Sequence, residues 1–353
     1  MLESALENYG DGVVLVCFGA LVGILFGAAA QHSKFCLRAS TVEVAEGQFG
    51  PRLSIWLVAF TMAVASVQTM VVLGWLDVSD SRQIANPGSL SGAIIGGLMF
   101  GVGMVLARGC ASRLLVLSAT GNLRALITGL VLTLVAQASL RGVLSPAREA
   151  LSGLWMVSGG TDRDLLAQLG LTSGIAAFIA GAALLSALLF AASRKVPSTQ
   201  IIAGIGVGLA VSLGWLVTYL VAMTSFDVVS VTSVTFTGPA TDTLMGLVSN
   251  PQLPLGFGVG LVPGVFVGAG AMALWKGEAK IQRFGADNPL ENYLIGAALM
   301  GFGSMLAGGC AVGAGLSGGA IFAVTAWVAV GSMWVGAMVT HRIITRRPIM
   351  RTA

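Results

Sequence analysis

Two stretches decide how this chain folds: GGLMFGVGMVLARGCA at residues 96–111 and GAALMGFGSMLAGGCA at residues 296–311. Eight of the sixteen aligned positions are identical, and they include one cysteine in each copy, Cys110 and Cys310. Glycines at this spacing are typical of helices that pack closely in a membrane. Close packing does not require a cysteine at the same register twice, so the two stretches predict an internal repeat whose cysteines share a function.

The composition around the repeat is that of an integral membrane protein. Of 353 residues, 56% are hydrophobic and 10% are charged, and the mean hydropathy is +0.89. These values lie outside the range of soluble domains, and the apolar runs are long enough to cross a bilayer. We predict an all-α membrane protein with about nine transmembrane helices. The predicted spans are residues 12–31, 53–76, 91–108, 122–140, 172–192, 201–222, 255–275, 291–308 and 320–340.

Lysine and arginine residues predict the orientation. With the N-terminus outside and the C-terminus in the cytoplasm, 15 of the 19 basic residues fall on inner connections, as the positive-inside rule requires. They are Lys34, Arg38, Arg52, Arg108, Arg113, Arg124, Arg194, Lys195, Lys276, Lys280, Arg283, Arg342, Arg346, Arg347 and Arg351. This bias accounts for the net charge of +4, so we predict contact with anionic lipid and no nucleic-acid partner.

Five predicted crossings separate the two cysteine stretches, which turns the second copy upside down relative to the first. Inverted repeats are typical of transporters that bind their substrate near the membrane centre. We predict a first half at residues 1–141, with four spans and two cysteine loops, and a connection with a linker span at 142–199. Residues 200–353 form the inverted second half, with four spans, the Cys310 loop and a basic tail.

After each repeated cysteine, the apolar run is too short to cross the membrane before a glycine break, at Gly121 and Gly318. We predict short re-entrant helices there, because irregular backbone at membrane depth is tolerated only inside protein or beside a polar cavity. A helix that begins just past a cysteine directs its free N–H groups toward the thiol, which favours an anion. The predicted site therefore includes the cysteines and the residues that flank them, Gly109, Ala111, Gly309 and Ala311.

Two further cysteines complete the set. Cys36, in HSKFCLR, lies at a similar break, whereas Cys17 lies inside an apolar run and is predicted to be a packing residue. The chain has no CxxC pair, and its two histidines are His32 and His341, so we predict no metal and no cofactor. A neutral thiol is a soft donor that suits a sulfur anion. A thiolate about 4 Å from a dianion would cost about 8 kcal/mol at an effective dielectric near 20, so the thiols stay neutral or react by exchange.

Three motifs carry a resemblance: FGALVGILFGAAAQHSKFCLR, LARGCASRLLVLSATGNLRAL and LMGFGSMLAGGCAVGAGLSGG. With one cysteine in each motif, the chain resembles the YeeE/YedE family of bacterial inner-membrane proteins, which includes thiosulfate uptake transporters. The resemblance implies an hourglass-like inverted repeat in which short pore helices bring Cys36, Cys110 and Cys310 onto a central path that relays thiosulfate. It also implies a small cytoplasmic sulfurtransferase as partner, and assigns no role to the long connection at 141–171.

Arg108 and Arg113 flank Cys110 and have two interpretations. Both belong to the positive-inside bias, which suffices to explain them. An arginine beside only one of the two repeated cysteines would also hold an anion near the inner exit, and we include Arg113 in the predicted site.

We predict a transporter that takes up thiosulfate or a closely related sulfur anion, and not an enzyme. One alternative is a membrane thiol oxidoreductase or sulfurtransferase that forms a cysteine persulfide, with His32 as the acid/base group near Cys36. A second is a transporter of a selenium compound, since some relatives are linked to selenium metabolism. A third, a purely structural membrane partner, leaves the repeated cysteines unexplained.

Overall fold

The computed structural model describes residues 2–249, 254–282 and 290–346, and these residues are almost entirely helical. The helices are α1 Leu2–Tyr9, α2 Asp11–Ser33, α3 Leu37–Ala45, α4 Pro51–Val72, α5 Arg82–Ala85, α6 Leu90–Leu106, α7 Ala111–Ala119, α8 Leu123–Arg141, α9 Ser145–Ser152, α10 Leu165–Leu169, α11 Ser173–Ser193, α12 Ser198–Thr224, α13 Thr237–Ser249, α14 Phe257–Trp275, α15 Leu290–Leu306 and α16 Val324–Arg346. Strands β1 Gly88–Ser89 and β2 Met156–Val157 pair antiparallel. The prediction of an all-α membrane protein is confirmed.

The long helices coincide with the predicted spans. Among the described residues, eight segments are long and apolar enough to cross a membrane, and two of them, Asp11–Ala45 and Leu90–Ala119, each combine a long helix with a short one. The predicted span at residues 291–308 is helix α15, whose 17 residues fall just short of that length. Arg283, Arg347 and Arg351 of the predicted basic connections lie outside the described residues.

Polar caps determine where several of these helices begin. The Ser89 hydroxyl accepts a hydrogen bond from the Gly92 N–H at 2.8 Å at the start of α6. The Asn122 side chain accepts one from the Ala125 N–H at 3.0 Å at the start of α8. Such caps satisfy N–H groups that have no partner within the helix. The start of α6 and the break between α7 and α8 are thus encoded locally.

Helices α6 and α15, which contain the two copies of the repeat, cross each other through glycines. A Cβ at Gly96 would lie 2.5 Å from the carbonyl oxygen of Gly303, and a Cβ at Gly103 would lie 2.6 Å from that of Gly296. Only glycine permits backbones to approach this closely. Because the early residue of each helix meets the late residue of the other, α6 and α15 run antiparallel.

Corresponding helices of the two halves have corresponding neighbours. Helix α2 packs on α14, and α12 packs on α4; α6 packs on α16, and α15 packs on α8. Helices α2 and α12 also pack on each other, as do α6 and α15. Helix α11 packs mainly on α4 and leaves most of its surface exposed, as expected for a helix at the lipid boundary.

Two regions contain more structure than the sequence predicted. Helix α13 lies in the segment 223–254, which the sequence analysis treated only as a connection. The connection at residues 142–171 contains α9, β2, a 3-10 turn at Gly160–Arg163 and α10. Both regions are partly polar, and their helices are too short to give a clear hydropathy signal.

Candidate anion-binding site

The backbone reaches all three buried cysteines in the same way. A residue with left-handed backbone conformation ends the preceding helix two positions before each cysteine. The pairs are Lys34 and Cys36, Arg108 and Cys110, and Gly308 and Cys310, with φ of 55°, 55° and 78° at the left-handed residue. The N–H of the residue between them bonds back to the helix, at 3.2 Å, 3.1 Å and 2.9 Å respectively. This helix-ending motif turns the chain sharply at each cysteine.

A short helical segment follows each cysteine. Cys36 is the N-cap of α3 and Cys110 is the N-cap of α7, each a helix of nine residues. After Cys310 the predicted helix is a π-helical segment at Gly313–Gly318, every residue of which is buried. Three glycines in six residues lower the α-helical propensity of this segment, and π-helical turns are frequent at functional sites.

Cys36 and Cys110 form a pair. Both thiols are free and buried, and their side chains face each other closely enough to interact. The Ser112 hydroxyl lies 3.3 Å from the Cys110 sulfur. Since each cysteine is an N-cap, the N-termini of α3 and α7 converge on the same point. Two positive helix ends at one place create a site that favours an anion.

Positive side chains surround this cysteine pair. Arg113 lies within electrostatic reach of both thiols, and Arg38 lies near Cys36. Nη1 of Arg113 donates to Oε1 of Gln31 at 3.3 Å. Nε2 of Gln31 in turn donates to Oε2 of Glu278 at 2.8 Å. The guanidinium is therefore held by a neutral amide rather than by a carboxylate, so its charge remains available to an anion.

Cys310 has a different environment. Its side chain is fully buried, and its sulfur accepts a hydrogen bond from the Gly313 N–H at 3.4 Å. The Thr235 hydroxyl lies 3.8 Å from the same sulfur. A cavity of about 30 Å³ lies beside this region, and its lining includes Arg82, Gln83, Thr235, Gly308, Gly313 and Ser317.

The remaining predicted site residues lie next to the cysteines. Ala111 and Ala311 are buried immediately after them. A Cβ at Gly109 would lie 3.4 Å from the Leu114 side chain, its nearest neighbour, whereas a Cβ at Gly309 would lie 3.0 Å from the Ala314 nitrogen. The crowding is thus greater in the second copy.

Two other residues differ from simple expectation. Cys17 is exposed on α2 rather than buried, so it faces the membrane and is not core filler. Among the described residues, Nε2 of His32 has no hydrogen-bond partner, and the charged neighbours of its ring are Lys276 and Glu278.

Comparison with known proteins identifies the family. A family model described as "Sulphur transport" matches residues 32–339, which include Cys36, Cys110 and Cys310. The chain belongs to this YeeE/YedE sulphur transport family. It is similar to a thiosulfate transporter TsuA of Spirochaeta thermophila, at 29% identity over 334 residues covering 89% of this chain and 94% of the relative. It is also similar to the thiosulfate transporter TsuA of Escherichia coli, at 25% identity over 359 residues covering 95% and 96% respectively.

In this member of the sulphur transport family, helix α13 corresponds in position to α3, which the repeat predicted from residues 96–111 and 296–311 did not include. Helix α3 begins at Leu37 and α13 begins at Thr237, the same offset of 200 that relates Cys110 to Cys310. The counterpart of Cys36 is therefore Phe236, whose ring centroid lies 5.0 Å from that of Phe26. Between residues 32–41 and 232–241 only Ser33 and Thr41 recur, as Ser233 and Thr241, so the sequence signal for α13 is weak.

Proposed function

We propose that this protein imports thiosulfate, or a closely related sulfur anion, across a bacterial inner membrane. In this proposal the N-terminus is outside, the C-terminus is cytoplasmic, and the anion passes from Cys310 to the pair formed by Cys36 and Cys110. The family supports transport of a sulfur compound, and the names of two relatives support thiosulfate as the substrate.

One structural observation is the main support for the path proposed for the anion. Two helices begin at thiols that face each other, with Arg113 beside them. Helix N-termini and arginine attract the charge of an anion, while neutral thiols offer soft donors to its sulfur atoms. A site of this composition suits a sulfur oxyanion better than a cation or an uncharged metabolite.

The proposal includes an inverted repeat with its halves at residues 1–141 and 200–353, joined by residues 142–199. The antiparallel crossing of α6 and α15 and the matching neighbours of corresponding helices support it. The polar contacts of the Cys110 loop involve Gln31 and Glu278, at the end of α2 opposite to Asp11. The Cys310 loop contacts Gln83 and Thr235, on connections predicted to lie outside.

A two-sided arrangement of this kind suggests how an anion would cross. It would enter beside Arg82, meet the thiol of Cys310, and then reach the cysteine pair near Arg113. Both repeated cysteines are fully buried, so passage requires small movements of the loops that contain them. Each thiol would exchange one hydrogen bond for the next, so no single position binds the anion too tightly to release it.

The enzyme alternative requires an acid/base group beside a thiol. His32 was the candidate, and the charged groups that act on its ring are Lys276 and Glu278, which favours transport over persulfide chemistry. We therefore propose that the protein is not an enzyme, and that a small cytoplasmic sulfurtransferase, which the family resemblance implies, receives the anion. In the selenium alternative, the transported compound contains selenium in place of sulfur and follows the same path.

Growth tests the proposal. A bacterial host lacking its own thiosulfate and sulfate uptake should grow on thiosulfate as sole sulfur source only when it expresses this chain. Growth on cysteine should not depend on the chain, and sulfate should not support growth. Uptake of labelled thiosulfate into closed vesicles, with selenite and sulfite as competitors, measures the preference. Thiosulfate turnover by the purified protein in detergent, without uptake into vesicles, would instead support the alternative that the protein is an enzyme.

Topology is tested separately. A reporter inserted at Ser230 should be external and one at Gln282 internal. Detection of both reporters on the same side would refute the proposed orientation and the inverted repeat together.

A further inference from the structure

The connection at residues 142–171 packs over the cavity beside Cys310. Its strand β2 pairs with β1, and the Leu90 N–H bonds to the Trp155 carbonyl at 2.9 Å. Gly159 lies so close to the carbonyl of Ala85, at the end of α5, that a Cβ would collide with it. The Leu165 N–H bonds to the Phe322 carbonyl at 3.0 Å. The connection therefore contacts both α5 and the chain that follows the Cys310 loop.

Arg163 is the centre of these contacts. Its side chain is buried, and Nη1 donates to the carbonyl oxygens of Asn86 at 2.6 Å and Arg82 at 3.4 Å. Nη2 donates to the Thr325 hydroxyl at 2.6 Å, at the start of α16. A Cβ at Gly88 would lie 2.5 Å from the guanidinium carbon. Only a residue without a side chain leaves room for this group.

A short series of contacts leads from Arg163 to the thiol. The carbonyls that it binds belong to the first residue of α5 and to the residue that follows this helix. Within α5, Nε2 of Gln83 donates to the Gly313 carbonyl at 3.2 Å. The Gly313 N–H donates to the sulfur of Cys310 at 3.4 Å. The position of α5 is thus coupled to that of the π-helical segment.

A buried guanidinium costs free energy unless its donors are paired. Burial, with a smaller contribution from the positive charge of nearby Arg82, lowers the pKa of Arg163. The acceptors at Arg82, Asn86 and Thr325 pair Nη1 and Nη2, while Nε has no hydrogen-bond partner among the described residues. They offset part of this cost only while α5 and α16 stay in place, so the charge couples α16 to α5, which lines the cavity.

We propose that Arg163 is a positioning residue that holds Arg82 and Gln83 of α5 against the Cys310 loop and so sets the affinity of the cavity for the incoming anion. Arg163 does not touch the anion. This role rests on the proposed function, because it takes the cavity to be part of the anion path. It gives the 142–171 connection a function in transport.

The first measurement is thiosulfate uptake by Arg163→Met in vesicles. Loss of a charged group that binds several acceptors should raise the half-saturating concentration about tenfold. The maximal rate should change less than about twofold, because the interactions lost act on binding rather than on later steps. Arg163→Lys should rescue partially, since an ammonium cannot bind acceptors at both α5 and α16 as a planar guanidinium does.

The second measurement does not require a substrate. In detergent, alkylation of Cys310 by N-ethylmaleimide, quantified on its peptide by mass spectrometry, should accelerate about tenfold in Arg163→Met, since local opening controls the access of reagents to buried groups. Alkylation of Cys110 should be unchanged. If wild-type protein fails to transport thiosulfate yet Cys310 responds in this way, the proposed function fails and the positioning role stands.

Arg148→Met is the matched control. Arg148 lies on the same connection and binds the Ser139 carbonyl at 2.8 Å and Glu149 at 3.2 Å, away from the cavity. The Arg148→Met variant should leave both thiosulfate uptake and Cys310 alkylation at wild-type values. If Arg163→Met does not insert, Thr325→Val removes a single acceptor and should shift both measurements about threefold in the same direction. Wild-type values in the Arg163 and Thr325 variants, or equal shifts in Arg148→Met, would overturn the proposal.

Discussion

The loops around Cys110 and Cys310 have the same backbone turn but differ in the charge next to the cysteine. Arg108 occupies the left-handed position in the first copy and Gly308 in the second. The first copy adds Arg113 and a second thiol, Cys36, beside its cysteine. In the second, the described hydrogen-bonding neighbours of the sulfur are the uncharged Thr235 hydroxyl and the Gly313 N–H, and the positive charge of Arg82 lies on the adjacent cavity.

This difference suggests a direction for transport. A symmetric pathway would bind an anion equally on both sides of its centre, whereas positive charge on one side lowers the energy of the anion there. In the proposed path, the cysteine pair beside Arg113 would be the deeper site, and Cys310 would line the passage that leads to it. Four experiments test this contrast.

Removing both repeated thiols should have the largest effect. Cys110→Ala and Cys310→Ala should each lower thiosulfate uptake roughly ten- to hundredfold, because each removes a charge-assisted contact of roughly 1.5 to 3 kcal/mol. The double variant should show no measurable uptake. Serine should rescue poorly, since a hydroxyl is a harder donor that is better hydrated. Normal uptake by a correctly inserted double variant would rule out the thiol relay.

The charge asymmetry is tested by Arg113→Ala. Uptake should fall about tenfold, because one charged interaction with the anion at the cysteine pair is lost. The remaining uptake should depend less on ionic strength than that of the wild type. Arg124→Ala, at the start of α8, is the control for insertion and should transport normally. Equal losses in the two variants would assign Arg113 to topology alone.

The crowding difference predicts unequal responses to a single methyl group. Gly309→Ala should destabilise the protein by about 1 to 3 kcal/mol, because its Cβ would press against the Ala314 nitrogen. Gly109→Ala should stay within about 1 kcal/mol of wild type. Thermal unfolding of both variants in the same detergent provides the comparison. The reverse order would show that the second loop is the looser of the two.

Cys17→Ala should have the smallest effect. The residue is exposed on the membrane-facing surface of α2, so neither the path nor the core loses a contact. Uptake and insertion should match the wild type, which also makes this variant a background for thiol labelling. A large loss of uptake would mean that the path runs outside the two cysteine loops.

Much of the fold could be predicted from the sequence because bilayer length and hydropathy constrain each span locally. The nine apolar segments, the breaks at the cysteines and the helix after Cys110 are all visible in the chain. The π-helical segment after Cys310 was not predictable, since helical type there depends on tertiary packing, such as that of Gly313 against Thr235 and of Gly318 against Ala326. Helix α13 was missed because its residues mix polar and apolar types.

The sequence by itself determined the class of protein and the repeated stretch with its two cysteines, Cys110 and Cys310, since these depend on hydropathy and on identical residues at a fixed offset. Only the tertiary structure brought Cys36 to Cys110 and Arg163 to α5 and α16. Those contacts join residues far apart in the chain, such as Arg163 and Thr325. They form only when helices pack, because packing alone supplies the partners that a buried thiol or guanidinium requires.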